Sequence, residues 1–180
     1  EVNYSGNAYL EDIEIIGNKC FGGQYGVSIK VGLPGQVQKY LKKVFIKGNW
    51  FLKFTKTVLS IRESYGDRID DIVLRDNVCV RSGVDTLAPI SQIYLINTDA
   101  PNIGRIDITG NEFDSDSYVD NVCYFRNDKL INEIYVKGNS FKKIGTANTV
   151  ELFRFISCGY VEFEDNRILD RSGVGNDVSA

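Results

Sequence analysis

Carboxylates are the side chains of this chain that could carry out covalent chemistry. The sequence has 180 residues and no histidine, which excludes histidine-based nucleophilic catalysis, histidine general bases and most zinc sites. Glycoside-cleaving enzymes instead use two carboxyl groups about 5 to 9.5 Å apart, one of them kept protonated by its surroundings. Two groups of acidic residues could supply such a pair. The first group is Glu63, Asp67, Asp99 and Asp128, and the second is Asp85, Asp114, Asp116 and Asp120.

Both groups lie in the connections between copies of a repeated eleven-residue segment, of which INEIYVKGNSF (131–141) is one. Each of the six copies has apolar residues eight, five and three positions before an asparagine and two positions after it. A glycine or an aspartate precedes each asparagine, and these residue types tolerate a positive φ, so the strand turns sharply there. Further alternating segments between the copies give each repeat at least two strands. The asparagines are Asn18, Asn49, Asn77, Asn111, Asn139 and Asn166.

The spacing of these asparagines separates two repeat folds that share the pattern. Leucine-rich repeats run about 20 to 29 residues and follow their strand with a helix or a 3₁₀ segment. Here the spacing is 27 to 34 residues, and the remainder of each repeat alternates and is rich in β-branched residues. The sequence therefore predicts an all-β chain, folded as a single-stranded right-handed parallel β-helix of about six coils with an asparagine ladder. We expect one domain over residues 1–180.

The predicted register brings equivalent residues of adjacent coils about 4.8 Å apart, where like charges would repel. The column six positions before each asparagine alternates in sign wherever it is charged. It contains Asp12, Lys43, Asp71, Arg105, Glu133 and Tyr160. The four cysteines fit the same frame as small core residues, and Cys20 and Cys79 are two coils apart, too far to form a disulfide.

The repeated segment resembles the pectate-lyase-like β-helix superfamily over nearly the whole chain. Its short irregular coils and the absence of methionine also resemble a fragment of a bacteriophage tailspike or tail-fibre protein. This resemblance implies a homotrimer, located on the virion or outside the cell, that binds and often cleaves a bacterial surface polysaccharide. Asn97, Thr98 and Asp99 match a polygalacturonase motif, but the Gly-His-Gly element of those enzymes and the Arg-x-Pro-x-x-Arg element of pectate lyases are absent. The well-known enzymes of this fold are therefore disfavoured.

Within this frame we expect Asp99, Glu63 and Asp67 to be the catalytic residues, with the second acidic group as the alternative. Arg62 and Arg126 lie beside the first group and could bind an acidic sugar.

Trp50 and Tyr135 face outward and could stack on sugar rings. Outward apolar residues could equally form a subunit contact, which is also where the outward-facing Phe45 and Val73 would belong. The acidic run at 114–120 could hold Ca²⁺ through its oxygen ligands, but it lacks EF-hand spacing, so we expect no metal and no other cofactor.

Charge and hydropathy limit the other partners. The net charge is −3 with a sequence pI near 5.1, and no lysine- and arginine-rich run is present, so we expect no nucleic acid as a partner. No apolar stretch approaches the roughly 20 residues that a membrane span needs. Two alternatives to the tailspike-type segment stay open. One is a structural shaft or trimerisation segment without catalysis, and the other is a stand-alone bacterial polysaccharide lyase or hydrolase.

Overall fold

The computed structural model describes the backbone of residues 2–4, 9–31, 40–55, 57–62, 68–81, 91–97, 102–115, 121–142 and 153–169. Side chains are described over 11–29, 40–55, 59–60, 68–80, 102–114, 130–142 and 155–169. All regular secondary structure in these ranges is β-strand. None of the described residues forms a helix that is long and apolar enough to cross a membrane.

Sixteen strands follow one another along the described residues. They are β1 (Val2–Tyr4), β2 (Tyr9–Ile16), β3 (Lys19–Phe21), β4 (Tyr25–Val31), β5 (Tyr40–Lys47), β6 (Trp50–Phe54), β7 (Thr57–Arg62), β8 (Arg68–Arg75), β9 (Val78–Arg81), β10 (Ser91–Asn97), β11 (Asn102–Thr109), β12 (Glu112–Ser115), β13 (Asn121–Lys137), β14 (Ser140–Lys142), β15 (Phe153–Glu164) and β16 (Arg167–Leu169).

The strands stack in parallel as a β-solenoid with three sheets. Sheet 1 contains β1, β4, β7, β10 and the first halves of β13 and β15; sheet 2 contains β2, β5, β8, β11 and the second halves of β13 and β15. Sheet 3 contains β3, β6, β9, β12, β14 and β16. The predicted all-β parallel solenoid is confirmed. Each coil contributes three strands, because the alternating segments between the repeats form sheet 1.

The predicted register is confirmed along sheet 2. Asp12 pairs with Lys43, Lys43 with Asp71, and Asp71 with Arg105, whose own next partner in the column is Glu133. The Nε atom of Arg105 lies 3.3 Å from Oδ1 of Asp71. Alternating charges along this column therefore attract each other across the stacked coils.

The four apolar positions of the repeated segment form most of the described core, and Val27, Ile29, Phe54 and Leu59 complete it. Phe113 and Phe141 occupy the position two after the asparagine in adjacent coils, are fully buried, and stack with their ring centroids 5.2 Å apart. Cys79 occupies the same position two coils from Cys20 and is also fully buried, and this burial raises the pKa of its thiol. Cys20, Cys79 and Cys158 are free thiols, and all three belong to the core or pack against it.

A column of asparagine side chains runs through the turn between sheets 2 and 3. The carboxamide oxygen of Asn49 accepts hydrogen bonds from the backbone N–H and the side-chain nitrogen of Asn18, at 2.9 and 3.1 Å. The same pair of bonds, between 2.9 and 3.0 Å long, links each later neighbouring pair up to Asn139 and Asn166. The predicted ladder is therefore present, and its four inner members are at most 2% exposed.

The asparagine side chains also bond to backbone carbonyl groups. The side-chain nitrogen of Asn111 donates to the carbonyl of Thr109 in its own coil at 3.1 Å and to that of Leu74 in the preceding coil at 2.8 Å. The residue before each asparagine has a positive φ, 53° at Asp76 and 67° at Gly110. This left-handed residue reverses the chain so that the carboxamide can point into the turn.

Replacing Phe141 with alanine should lower the free energy of unfolding by about 3 to 5 kcal/mol, because it removes buried apolar surface and leaves a cavity beside Phe113. Chemical denaturation would measure the change. Phe21→Ala is the matched control, since Phe21 has the same ring but is 62% exposed. Equal losses in the two variants would contradict the assignment of Phe141 to the core.

Replacing Asn111 with alanine should cost about 3 kcal/mol or more, because it leaves several buried polar groups unpaired at about 1 to 3 kcal/mol each. Asn18→Ala, at the exposed first rung of the ladder, should cost about 1 kcal/mol. Urea unfolding of both variants checks the difference. If Asn18→Ala proved as destabilising as Asn111→Ala, the energetic role of the buried ladder would be refuted.

Candidate functional site

The sequence-predicted site residues are spread over three sheets. Arg62 and Arg126 end up in one column of sheet 1, since both pair with Ile96 of the strand between them. This places their backbones roughly 10 Å apart, two strand spacings. Trp50 belongs to β6 of sheet 3, and Tyr135 belongs to β13 where it lies in sheet 2. The structure thus places the backbones of the two arginines in one column of sheet 1 and the two aromatic residues on the other two sheets.

The predicted catalytic residues Glu63, Asp67 and Asp99 lie outside the described residues, and so do the side chains of Arg62 and Arg126. Their roles stay predictions. In the alternative group only Asp114 has a described side chain. Asp85, Asp116 and Asp120 of this group lie outside the described residues. Of Asp128, the fourth member of the first group, only the backbone is described.

Asp114 lies on the outer surface of sheet 3 beside a lysine. The Nζ atom of Lys142 is 4.0 Å from Oδ2 of Asp114 and forms an ion pair with Glu112. The hydrogen bond to Glu112 raises the pKa of Lys142, so this lysine stays charged and balances the two acids. Among the described residues no three potential metal-ligating side chains come together.

Tyr135 is held by its own neighbours on sheet 2. Its hydroxyl donates to Oε2 of Glu133 at 3.0 Å, and this hydrogen bond raises the pKa of Tyr135. Its ring centroid lies 6.0 Å from that of Tyr160 and 5.3 Å from Nζ of Lys137. Lys137 in turn is 2.7 Å from Oε1 of Glu162. The hydrogen bond to Glu133 uses the hydroxyl donor that a bound sugar would need.

The outward apolar column of sheet 2 is less exposed than the sequence suggested. Val73 was expected to face solvent, yet it is only 3% exposed. It lies between Phe45 and Asp107 in the stacked register. Arg75, two residues further along its strand, bonds to Oδ2 of Asp107 at 3.0 Å, and Lys43 lies over the Phe45 ring at 5.1 Å. The expectation of an exposed Val73 is wrong, because neighbouring side chains cover it.

The Lys137–Glu162 pair predicts a pH dependence of stability. The hydrogen bond from Lys137 lowers the pKa of Glu162 below its ordinary value of 4.5. A carboxyl group with a lowered pKa in the folded state stabilises the fold above its unfolded pKa, and this contribution is lost as the pH falls through the folded value. Glu162→Gln should therefore show a smaller loss of stability below about pH 4.5 than the unchanged chain.

Thermal unfolding at a series of pH values measures this effect. Glu14→Gln is the matched control, because Glu14 occupies the same column at the other end of sheet 2 and forms no ion pair with the described residues. If both variants lost stability with falling pH as the unchanged chain does, the pair with Lys137 would have no influence on stability.

Two exposed aromatic residues lie on sheet 3 and define a second surface. We call Lys19, Phe21, Trp50, Leu52 and Lys53 the aromatic–lysine surface. Phe21 is 62% exposed and Trp50 is 51% exposed. In the register of β3 and β6, Lys19 pairs with Trp50 and Phe21 with Leu52. The Nζ atom of Lys19 lies 5.5 Å from the Trp50 ring centroid and 5.6 Å from that of Phe21, which groups both rings around one charge.

Strand alternation explains why these side chains point outward. Phe51 is inside the core at 1% exposed, so its neighbours Trp50 and Leu52 lie on the other side of the strand. The pairing of β6 with β9 shifts between Leu52 and Phe54, and Lys53 at this bulge has φ 61°. The bulge allows both Phe51 and Phe54 to enter the core, with their ring centroids 6.1 Å apart. Lys53 is thereby left exposed to solvent.

The aromatic–lysine surface continues onto the third coil as an apolar surface. Val78 and Val80 follow Trp50 and Leu52 in the register of β9. Acidic residues enter this sheet only in the next coil, where Glu112 pairs with Val78 and Asp114 with Val80. The outward side chains of sheet 3 are therefore aromatic, aliphatic or basic in its first three coils. In the coils that follow, Lys142 balances the acidic side chains Glu112 and Asp114.

The basic part of this surface escaped the sequence analysis, although a signal for it exists. Residues 15–62 contain nine lysines and arginines and no aspartate or glutamate. Apart from the adjacent Lys42 and Lys43 these basic residues are separated along the chain, so they form no lysine- and arginine-rich run, and the acids elsewhere bring the net charge to −3. Counting acids within windows of one or two repeats would have located them.

Comparisons with known proteins add no family to this description. No protein-family model, curated protein or solved structure gave a significant match to the chain.

Proposed function

We propose that this chain binds a bacterial surface polysaccharide, in the manner of a tailspike segment, and that the aromatic–lysine surface is its binding surface. The observation that supports this function most directly is the exposure of Phe21 and Trp50, which lie diagonally across adjacent coils with Lys19 near both rings. A large exposed aromatic pair loses favourable burial unless a partner covers it. Sugar rings have apolar C–H faces that such rings can cover, while their hydroxyl groups remain in water.

The regular outer surface of the solenoid suits a polymeric ligand. Successive coils present equivalent positions about 4.8 Å apart, so a chain of sugar units can meet similar groups repeatedly along the stack. Lys19 adds a hydrogen-bond donor between the two rings. The surface therefore offers stacking and polar contacts within one short stretch of sheet 3.

Cleavage of the bound polysaccharide is a separate part of the proposal. It would depend on Asp99, Glu63 and Asp67, with Arg62 and Arg126 binding an acidic sugar in the column that they share with Ile96. Release of new reducing ends from a glycan that the chain binds would indicate a depolymerase. Binding without such release would indicate a binding segment of a virion or another extracellular assembly.

A subunit contact is the competing role for the same surface. Phe21, Trp50, Leu52, Val78 and Val80 form a contiguous apolar region, and such a region can also be covered by other copies of the chain in a homotrimer. Light scattering gives the mass in solution. A trimer that becomes monomeric when Trp50 is replaced would favour the structural-shaft alternative, because the aromatic rings would then be unavailable to a glycan.

Replacing Trp50 with alanine should weaken glycan binding about 3- to 10-fold, which corresponds to about 0.5 to 1.5 kcal/mol for one aromatic stacking contact. The measurement is a titration with a glycan selected on an array of bacterial polysaccharides. Tyr160→Ala is the matched control, since Tyr160 is also 51% exposed but lies on sheet 2. Equal binding by the unchanged chain and Trp50→Ala would refute the proposed surface.

A further inference from the structure

The described lysines divide into two classes along the solenoid. In the later coils Lys137 pairs with Glu162 and Glu164, and Lys142 pairs with Glu112. In the first two coils, Lys19 and Lys53 have no carboxylate partner among the described residues. A cluster of unbalanced charge raises the local concentration of counterions and favours an oppositely charged ligand.

Lys19 is placed where a ligand on the aromatic rings would meet it. Its ammonium group lies within 6 Å of the Phe21 and Trp50 centroids, and its own side chain is exposed. A cation beside two rings is held there by their quadrupoles. A sugar that stacks on either ring would therefore place its ring substituents next to this charge.

Lys53 lies at the bulge of β6, three residues after Trp50 on the same strand. It is the one residue between Leu52 and Phe54, its φ is 61°, and it is exposed. A positive φ is uncommon for a lysine and disfavoured relative to glycine or asparagine. The bulge itself serves core packing, but it also leaves an exposed lysine next to Leu52 of the surface, at a position where glycine would satisfy the backbone better.

Lys47 extends the unbalanced charge to the corner between sheets 2 and 3. Its neighbours in the register are Ile16 and Arg75, and Arg75 is already bonded to Asp107. Like charges directly opposite each other on adjacent strands are destabilising. An anion bound near this corner would relieve that repulsion.

We propose that the ligand of the aromatic–lysine surface is an acidic glycan, a polysaccharide whose repeating unit carries a carboxylate, phosphate or sulfate group, and that Lys19 and Lys53 contact these groups. This inference rests on the proposed function, because it assigns the charge of the glycan that the surface binds. Its basis is the acid-free segment 15–62, the pair of exposed rings, and the presence on the same two strands of Lys19 and Lys53, which have no carboxylate partner among the described residues. A nucleic acid fits less well, because a few lysines on a chain of net charge −3 do not make the broad basic surface that a polyphosphate backbone requires.

The test uses two pairs of polymers that differ only in charge. Dextran sulfate is compared with dextran, and polygalacturonate with its fully methyl-esterified form, by titration of the full chain. The charged member of at least one pair should bind about tenfold more tightly or better, a difference of about 1.4 kcal/mol. Raising the salt from about 0.1 M to about 1 M shortens the Debye length from about 10 Å to about 3 Å and should remove most of this preference.

Two double variants test which lysines cause the preference for the charged polymer. Lys19→Gln with Lys53→Gln should reduce the preference for the charged polymer about tenfold, as expected for two exposed ion pairs worth up to about 1 kcal/mol each. Lys42→Gln with Lys43→Gln removes the same charge from sheet 2 of the second coil, where Asp12 and Asp71 flank Lys43, and should leave the preference unchanged. Lys19→Gln alone serves if the change at the Lys53 bulge impairs folding.

The outcomes separate this inference from the proposed function. Binding of the charged and uncharged polymers with equal affinity, while Trp50→Ala still weakens binding, overturns the acidic ligand and leaves glycan binding in place. Absence of binding to every polymer and to every array glycan overturns both. Equal losses in the two double variants would place the anion elsewhere on the chain. A single-stranded oligonucleotide that binds as tightly as the acidic polymer and displaces it would overturn the assignment to a glycan.

Discussion

The hydrogen-bonded asparagine column is the constraint on which the rest of the structure depends. In the four inner members of the column the carboxamide oxygen accepts two hydrogen bonds from the preceding coil, and the carboxamide nitrogen lies within hydrogen-bond distance of at least one backbone carbonyl and of the next asparagine oxygen. Aspartate has the right length but no donor, and glutamine has the right groups on a longer side chain. Asparagine is therefore the residue that can satisfy this turn in every coil, and its position fixes the register of both adjacent sheets.

A fixed register has consequences on the outside of the solenoid as well as in the core. Because equivalent positions lie beside each other, an outward residue interacts mainly with its equivalents in the next coils. Charges pair well in this arrangement, as Arg105 and Asp71 show on sheet 2. Where equivalents are aromatic, aliphatic or basic, as around Trp50 on sheet 3, they remain exposed and available to a partner. The candidate site is thus a local departure from the charge pairing that the fold favours elsewhere.

The core and the register could be predicted from the sequence because burial leaves few choices. Four apolar positions and one asparagine recur in every coil, and a shift by one residue would expose all of them.

The site was harder to predict, because it depends on features that the repeat does not specify. The exposure of Val73 depends on how the side chains around it lie. The position of Lys53 depends on a bulge that follows from two phenylalanines, Phe51 and Phe54, both entering the core. The connections that carry Asp99 and Glu63 vary in length from coil to coil, so the repeat fixes neither their path nor the distance between their carboxylates.

The stacking of coils also determines how the molecule would open. Nearly every long-range contact joins residues one coil apart in sequence, so the stability of a coil comes from itself and from its two neighbours. The sixth coil lacks one of these contributions among the described residues, and its core-facing Val161 and Phe163 are 39% and 45% exposed. Local unfolding should therefore begin at this coil and proceed inward, with amide protection from hydrogen exchange rising toward the coils of Asn77 and Asn111. The solenoid would behave as a row of coupled segments, and the ring of Trp50, one coil nearer than that of Phe21 to the coils of Asn77 and Asn111, would lie on the better protected coil.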